Sequence, residues 1–334
     1  MNAEQVKNLM DSCRLPGTCT GSEIKETHIS WIILYDDYAF KIKKPVKYSF
    51  LDFSTLDRRK FFCDQELALN RRLAPEMYLD VLAITEEMVD MRSGGRGRII
   101  DYAVQMKRMD NSKEMDVLLR SGNISGKQVT RLAEKIALFH KNAKVIIKDV
   151  NISDMQELYE DIKTVVSYLN EKGHHQWEER IYNCIGRSDN FLEDKKEMMD
   201  ERVRDGFFRD CHGDLNSSNI FLYEDPVIFD CIEFNQDFRQ IDILNEIAFL
   251  CVDIDFFEKK ELGNLFHNKY LEYSGMRYNT PEKELFLYYN SFRANVRAKV
   301  TLIDASKKSD QDVSAELEDA FGYLEMMEQY IDAL

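Results

Sequence analysis

The sequence contains no C-x-x-C pair, and its seven cysteines are odd in number and scattered. That argues against structural zinc and for reduced thiols in a cytosol. Long apolar runs are missing too. Stretches such as residues 29–35 are far too short to cross a bilayer, so no membrane partner is expected. The opening residues, MNAEQVKNLMDSC, have neither a basic n-region nor an apolar h-region. No secretory signal is therefore expected, and the expected location is the cytoplasm. Positive charge is in deficit, with 45 Lys and Arg against 60 Asp and Glu and a net charge of −15, which disfavours nucleic acid. A G-x-x-x-x-G-K-[ST] phosphate loop is also absent. The nearest approach, residues 122–127, has three residues between its glycines instead of four, and Gln128 stands where Ser or Thr must hold a metal.

What is present centres on residues 210–230, DCHGDLNSSNIFLYEDPVIFD. His212 and Asp214 are two apart, and Asn219 follows Asp214 by five. A strand-like run at 220–223 leads through a Glu-Asp-Pro turn, where proline pre-sets φ, into a second apolar run that ends at Asp230. The segment reads as a loop, a short hairpin and a carboxylate at a strand end. Phosphoryl transfer from ATP asks for a carboxylate that orients a hydroxyl and accepts its proton, together with oxygen ligands for Mg²⁺. Asp214 suits the first task, and Asn219 and Asp230 suit the second. The bland alternative is a polar turn beside a hairpin.

Before this stretch, residues 3–13 read as an amphipathic helix. Strands are expected at 29–34 and 38–42, joined by an Asp-Asp turn. Ser54 is the expected N-cap of a helix over 55–73 whose apolar positions are Leu56, Phe61, Phe62, Leu67 and Leu69. Two more strands are expected at 79–84 and 99–106, with a glycine-rich basic turn at 92–98 between them. After it the pattern is helical. Ser125 with Gln128 forms a capping box, Ser153 with Gln156 is a second expected cap, and a charged helix is expected from about 177 to 204. His140 is taken as structural, and the His174-His175 pair as a solvated turn.

The HGDLNSSNI loop resembles the kinase catalytic loop in its small-molecule form, because Gly213 replaces the Arg of protein kinases. Together with YAFKIKKP and FDCIEFN it is similar to the aminoglycoside phosphotransferase-like family, in the branch often fused to a P-loop ATPase domain. The resemblance implies an α+β, protein-kinase-like two-lobed fold. A small antiparallel sheet with one helix would occupy residues 22–109 after an extension at 1–21, and a larger, mostly helical lobe residues 110–334. It implies that Lys41, or Lys43 on the same face, grips the nucleotide phosphates, and that Glu66, with Asp64 the alternative, braces it. Met106 to Met109, with contacts from Met106 and Arg108, would form the hinge beside the adenine. The loop before the second strand has no glycines, so Ser30 and the Thr27 hydroxyl would stand in for amide contacts. Glu233 either supports the metal or caps its loop, Asp242 is expected to hold the catalytic loop, and Arg293 and Arg297 to pair with core acids.

The implied activity is ATP- and Mg²⁺-dependent transfer of the γ-phosphoryl group to a hydroxyl of a small molecule. A nucleotide-sensing pseudokinase and a protein kinase are the alternatives. Residues 1–109 carry 17 basic and 16 acidic side chains, and residues 110–334 carry 28 and 44. An acidic second lobe favours a cationic acceptor, although acidic helices also serve simply to keep a chain in solution. Oligomeric state cannot be read from the sequence.

Overall fold

The structure, a computed structural model, describes residues 1–48, 50–89, 97–308 and 313–334. Most of the expected turn at 92–98 lies outside the described residues. Contacts divide the chain into two compact units. Met1–Val117 and Asn219–Phe238 form one, and Leu118–Ser218 and Arg239–Leu334 form the other. The expected lobe boundaries, 22–109 and 110–334, cut the chain differently. The first unit also takes in the N-terminal extension and the hairpin that follows the catalytic-loop sequence.

The first unit opens with α1 (Ala3–Asp11), which Asn2 and Gln5 cap reciprocally. Then come β1 (Glu23–Glu26), β2 (Ser30–Leu34), β3 (Tyr38–Lys43), α2 (Leu56–Asn70), β4 (Tyr78–Thr85), the short α3 (Glu86–Val89) and β5 (Ile99–Lys107). The strands form an antiparallel sheet in the order β1-β2-β3-β5-β4. Alternation along β3 explains its burial on both faces. Phe40 and Ile42 pack with Trp31, Ile33, Ile84, Ala103 and the α1 residues Val6 and Leu9. Ala39 turns the other way, to Cys63, Met77, Tyr78 and Val104. Lys41 and Lys43 share that second face.

Helix α2 departs from the pattern expected of it. Its N-cap is Thr55, whose side chain accepts from the Arg58 N–H, while the Ser54 hydroxyl bonds Asp52. The buried stripe is Arg59, Cys63, Glu66 and Asn70, and Phe61 is 55% exposed. Polar groups can fill this stripe because each meets a partner. Arg59, for example, donates to Asp101 at 2.8 Å. Cys13 and Cys19 are joined in a disulfide, which corrects the expectation of reduced thiols for these two, since the loop between them brings both sulfurs together. The other five cysteines remain thiols and are buried.

The chain continues through α4 (Met115–Ser121), α5 (Gly126–Asn142), α6 (Ile152–Glu160), α7 (Val166–Glu171), α8 (Gln176–Arg204) and β6 (Phe208–Asp210). The hairpin β7 (Ile220–Phe221) and β8 (Val227–Ile228) follows. After it come β9 (Gln240–Asp242), α9 (Ile243–Phe256), α10 (Lys260–Ser274), α11 (Thr280–Ala305) and α12 (Ser314–Asp332). Ser125 and Gln128 do form a capping box on α5, but α6 is capped by Asn151 and not by Ser153. The centre of the second unit is α9, buried without interruption from Ile243 to Ile254. A helix that is apolar on all sides belongs in a core, and α11, α10 and α12 pack against it.

Candidate active site

In the first unit, β3 and α2 bring two lysines to one carboxylate. Lys41 Nζ lies 3.0 Å from Glu66 Oε1 and 2.6 Å from Asp230 Oδ1. Lys43 Nζ lies 2.6 Å from Glu66 Oε2 and forms a second ion pair with Glu233. Burial alone pushes the Glu66 carboxyl up, but Lys41 and Lys43 together outweigh it and hold the pKa near 2. At Glu233 burial, aided by the neighbouring Glu66 charge, outweighs Lys43 and Lys41 and raises the carboxyl above its ordinary value. Burial works against the charge on Lys41, yet Asp230, Glu66 and Glu233 raise its pKa well above normal. Both ammonium groups are therefore charged at neutral pH.

Asp230 has φ 63°, in the left-handed region that costs a non-glycine residue conformational energy. Its side chain is 42% exposed, against 10% for Lys41 and 1% for Lys43. The surrounding turn is held from two elements. The Asp230 N–H donates to the Tyr78 hydroxyl at 3.2 Å, and the Cys231 N–H donates to Asn70 Oδ1 at 2.9 Å. Asn219 is buried, and its backbone carbonyl accepts from the Phe229 N–H at 3.0 Å. Asn219 and Asp230 offer side-chain oxygens of the kind that a hard divalent cation such as Mg²⁺ prefers.

Ser30 is fully buried opposite Lys43 in the β2–β3 register, and its hydroxyl has no hydrogen-bond partner among the described residues. The Thr27 hydroxyl accepts from the Ser30 N–H at 3.0 Å. Met106 is buried in β5, paired with Ala39. The Arg108 N–H donates to the Asp37 carbonyl, and its guanidinium to the Tyr35 carbonyl at 2.7 Å.

In the second unit, the loop at 211–218 is seated on α9 by two acids. Glu246 accepts from the backbone N–H of His212 at 2.7 Å and of Gly213 at 3.0 Å. Asp253 accepts from the Ser217 N–H at 2.9 Å and its hydroxyl at 2.7 Å. They are seven residues apart, two helical turns on one face. Gly213 has φ 89°, a conformation that favours glycine at the bend. Buried His212 accepts the Asp214 N–H through Nδ1 at 3.3 Å, and Asn216 Nδ2 donates to Asp214 Oδ1 at 2.9 Å. The Asp214 side chain is thereby oriented while remaining half-buried.

The loop's anchor is thus Glu246, not Asp242 as expected. Asp242 instead pairs with buried Arg202 through both oxygens, at 2.6 and 2.8 Å, and caps α9 at the Leu244 N–H. Arg297 does meet a core acid, Asp253, at 3.1 Å, whereas Arg293 donates to Asn245 Oδ1 at 2.6 Å and lies 3.4 Å from the Gly213 carbonyl. His140 Nδ1 bonds the Tyr270 hydroxyl at 2.8 Å. It lies with Cys211 and Glu246 in a buried group whose ligand atoms fall within 4.8 Å. Since Glu246 already holds the loop amides there, this group reads as the loop's seat. Glu246, Asp253, Tyr78, Asn70, Asn216 and Ser217 were not singled out from the sequence. The signal for the first two was available: acids recurring at a seven-residue interval inside an otherwise apolar helix.

No family model matches the chain. Uncharacterized proteins of Mycobacterium tuberculosis (strain ATCC 25618 / H37Rv) and Mycobacterium bovis (strain ATCC BAA-935 / AF2122/97) are each 30% identical over 311 residues. The match takes in 89% of this chain and 60% of those proteins, so the chain spans about 60% of the length of the curated relatives it matches. Solved structures similar to it include a choline kinase from Cryptosporidium parvum, at 13% identity and TM-score 0.57 over 98% of this chain and 96% of that one. A choline/ethanolamine kinase family protein from Mesorhizobium loti matches at 11% identity and TM-score 0.54, over 99% and 100%. The GDP complex of aminoglycoside 2'-phosphotransferase-IIIa matches at 14% identity and TM-score 0.53, over 97% of each. The chain has the α+β, two-lobed kinase-like fold of these enzymes. Among the described residues, no helix is long and apolar enough to cross a membrane.

Proposed function

We propose that this chain is an ATP- and Mg²⁺-dependent phosphotransferase that moves the γ-phosphoryl group to a hydroxyl of a small-molecule acceptor. The observation that carries the reading is the buried Lys41–Glu66 pair with Asp230 beside it, at a strained backbone position. In this reading Lys41 meets the non-bridging phosphate oxygens, and Glu66 keeps its ammonium in place. Asp214 orients the acceptor hydroxyl and takes its proton, held for that task by His212 and Asn216. Mg²⁺ bound by Asn219 and Asp230 supplies charge neutralisation at the phosphates. Met106 and Arg108 lie at the end of β5, where the adenine edge is expected.

The similar aminoglycoside 2'-phosphotransferase was solved with GDP, so GTP is the competing donor to test. A cationic acceptor is supported by the excess of acids in residues 110–334. We further assign the chain to the aminoglycoside phosphotransferase-like branch often fused to a P-loop ATPase domain, supported by the greater length of its relatives. We place the chain in the cytoplasm, where ATP is supplied. Calorimetry with ATP and GTP, with and without Mg²⁺, on wild type and Asp230→Ala tests the site. Mg²⁺-dependent binding that Asp230→Ala abolishes is expected. Absence of nucleotide binding by the wild type would refute the reading.

A further inference from the structure

Of the two lysines on β3, Lys41 is the less enclosed, its side chain 10% exposed against 1% for Lys43. Lys43 is enclosed, with its Nζ 4.8 Å from the Phe53 ring centre and bonded to Glu66 and Glu233. Glu233, whose side chain is 4% exposed, stands three residues after Asp230. The turn from Asp230 to Glu233 is therefore attached to three elements: β4 through the Tyr78 hydroxyl, α2 through Asn70, and β3 through Lys43. The Lys43–Glu233 contact is ionic, as is the Lys41–Asp230 contact at the other end of the turn, and Glu66 joins the two lysines. Two lysines and three acids leave the five-residue group one acid in excess, and Asp230, bonded to Lys41 through Oδ1, is the most exposed of the three acids, at 42% against 0% for Glu66 and 4% for Glu233. The enclosed Lys43, Glu66 and Glu233 fix where that exposed carboxylate stands.

We propose that Lys43 and Glu233 are a positioning pair that locks the Asp230 turn onto β3, leaving Lys41 as the lysine that meets the nucleotide. The inference rests on the phosphotransfer reading for its functional consequence, but the lock itself is a property of the folded chain and can be measured without nucleotide. A buried ion pair is often replaceable by apolar residues without loss of stability, whereas removing one partner strands the other charge. The test therefore uses Glu233→Gln, Lys43→Met and the double variant Lys43→Met/Glu233→Met, alongside Lys41→Met.

Two readouts are taken on each folded variant. One is amide hydrogen exchange over residues 230–233, and the other is the Mg²⁺ concentration that half-saturates nucleotide binding, with nucleotide affinity also measured without Mg²⁺. The expected result is faster exchange at these amides in all three pair variants. Half-saturating Mg²⁺ should rise at least about tenfold, as for lost supports of metal ligands, with Mg²⁺-free nucleotide affinity unchanged. Lys41→Met should instead weaken Mg²⁺-free binding. Unchanged protection at 230–233 in the stable double variant overturns the proposal. So does a loss of Mg²⁺-free binding in Lys43→Met equal to that in Lys41→Met, since Lys43 would then be touching phosphate itself. If wild type binds no nucleotide yet the pair variants lose protection, the lock stands and the phosphotransfer reading fails.

Discussion

Glu66 answers two lysines with one carboxylate, and its pH behaviour follows from that. Its folded pKa lies near 2 against an ordinary 4.5, so the unfolded chain binds the extra proton between those values. Its stabilisation is complete above pH 4.5 and is lost as pH falls from 4.5 to 2. Glu66→Gln should lower the unfolding free energy by roughly 3–5 kcal/mol at neutral pH, because two buried cations lose their shared partner. It should also flatten the stability profile between pH 4.5 and 2, which urea melts at several pH values will read. Asp214 makes the complementary prediction. Its orientation comes from His212 and Asn216, and it carries no burden of packing comparable to Glu66. Asp214→Asn should fold normally, bind nucleotide as wild type does, and lose about 10²–10⁴ in single-turnover rate with a competent acceptor. Unreduced turnover would remove Asp214 from the role proposed for it.

At the scale of elements, α9 and α2 show opposite use of burial. Helix α9 places Glu246 and Asp253 among apolar residues, where they accept the backbone amides of His212, Gly213 and Ser217. Glu246→Ala should leave the amides of His212 and Gly213 buried and unpaired, at about 1–3 kcal/mol each. Hydrogen exchange over 212–217 should then accelerate more than exchange in α11. Helix α2 turns polar residues inward and Phe61 outward. Phe61→Ser should change stability by no more than about 0.5 kcal/mol, as surface substitutions do. A loss of several kcal/mol in chemical denaturation would mean that Phe61 is packed after all.

For the whole molecule, charge is the governing quantity. The net charge is −15, and the excess lies in residues 110–334. Self-repulsion of this size weakens a compact state and is screened by salt. Raising NaCl from about 10 mM to about 150 mM should raise Tm by about 2 °C, corresponding to about 1 kcal/mol for domains of this size. A flat salt response would show that local ion pairs already offset the repulsion. Acidification does not give the same relief. His267, stacked on Phe286 and edge-on to Tyr278, has its pKa pushed down by burial to about 4. Its share of stability is present above pH 6.5 and is lost as pH falls toward 4.

Much of the fold and part of the site could be read in the chain before any coordinates. The hairpin of β2 and β3, the capping box on α5 and the span of α8 follow from local patterns of alternation, capping and periodicity. Those signals act within a few residues, and they are the ones a sequence carries openly. The spacing of His212, Asp214, Asn219 and Asp230 is likewise local, so the candidate residues could be named. The tertiary structure decided the partners. That Glu66 serves both lysines, that Glu233 pairs with Lys43, and that Glu246 rather than Asp242 holds the loop depend on which side chains are shut away from water together. A buried charge is tolerable only beside its counterpart, and across separations that run from 23 residues for Lys43–Glu66 to 190 for Lys43–Glu233 that pairing is chosen by packing and not by spacing along the chain.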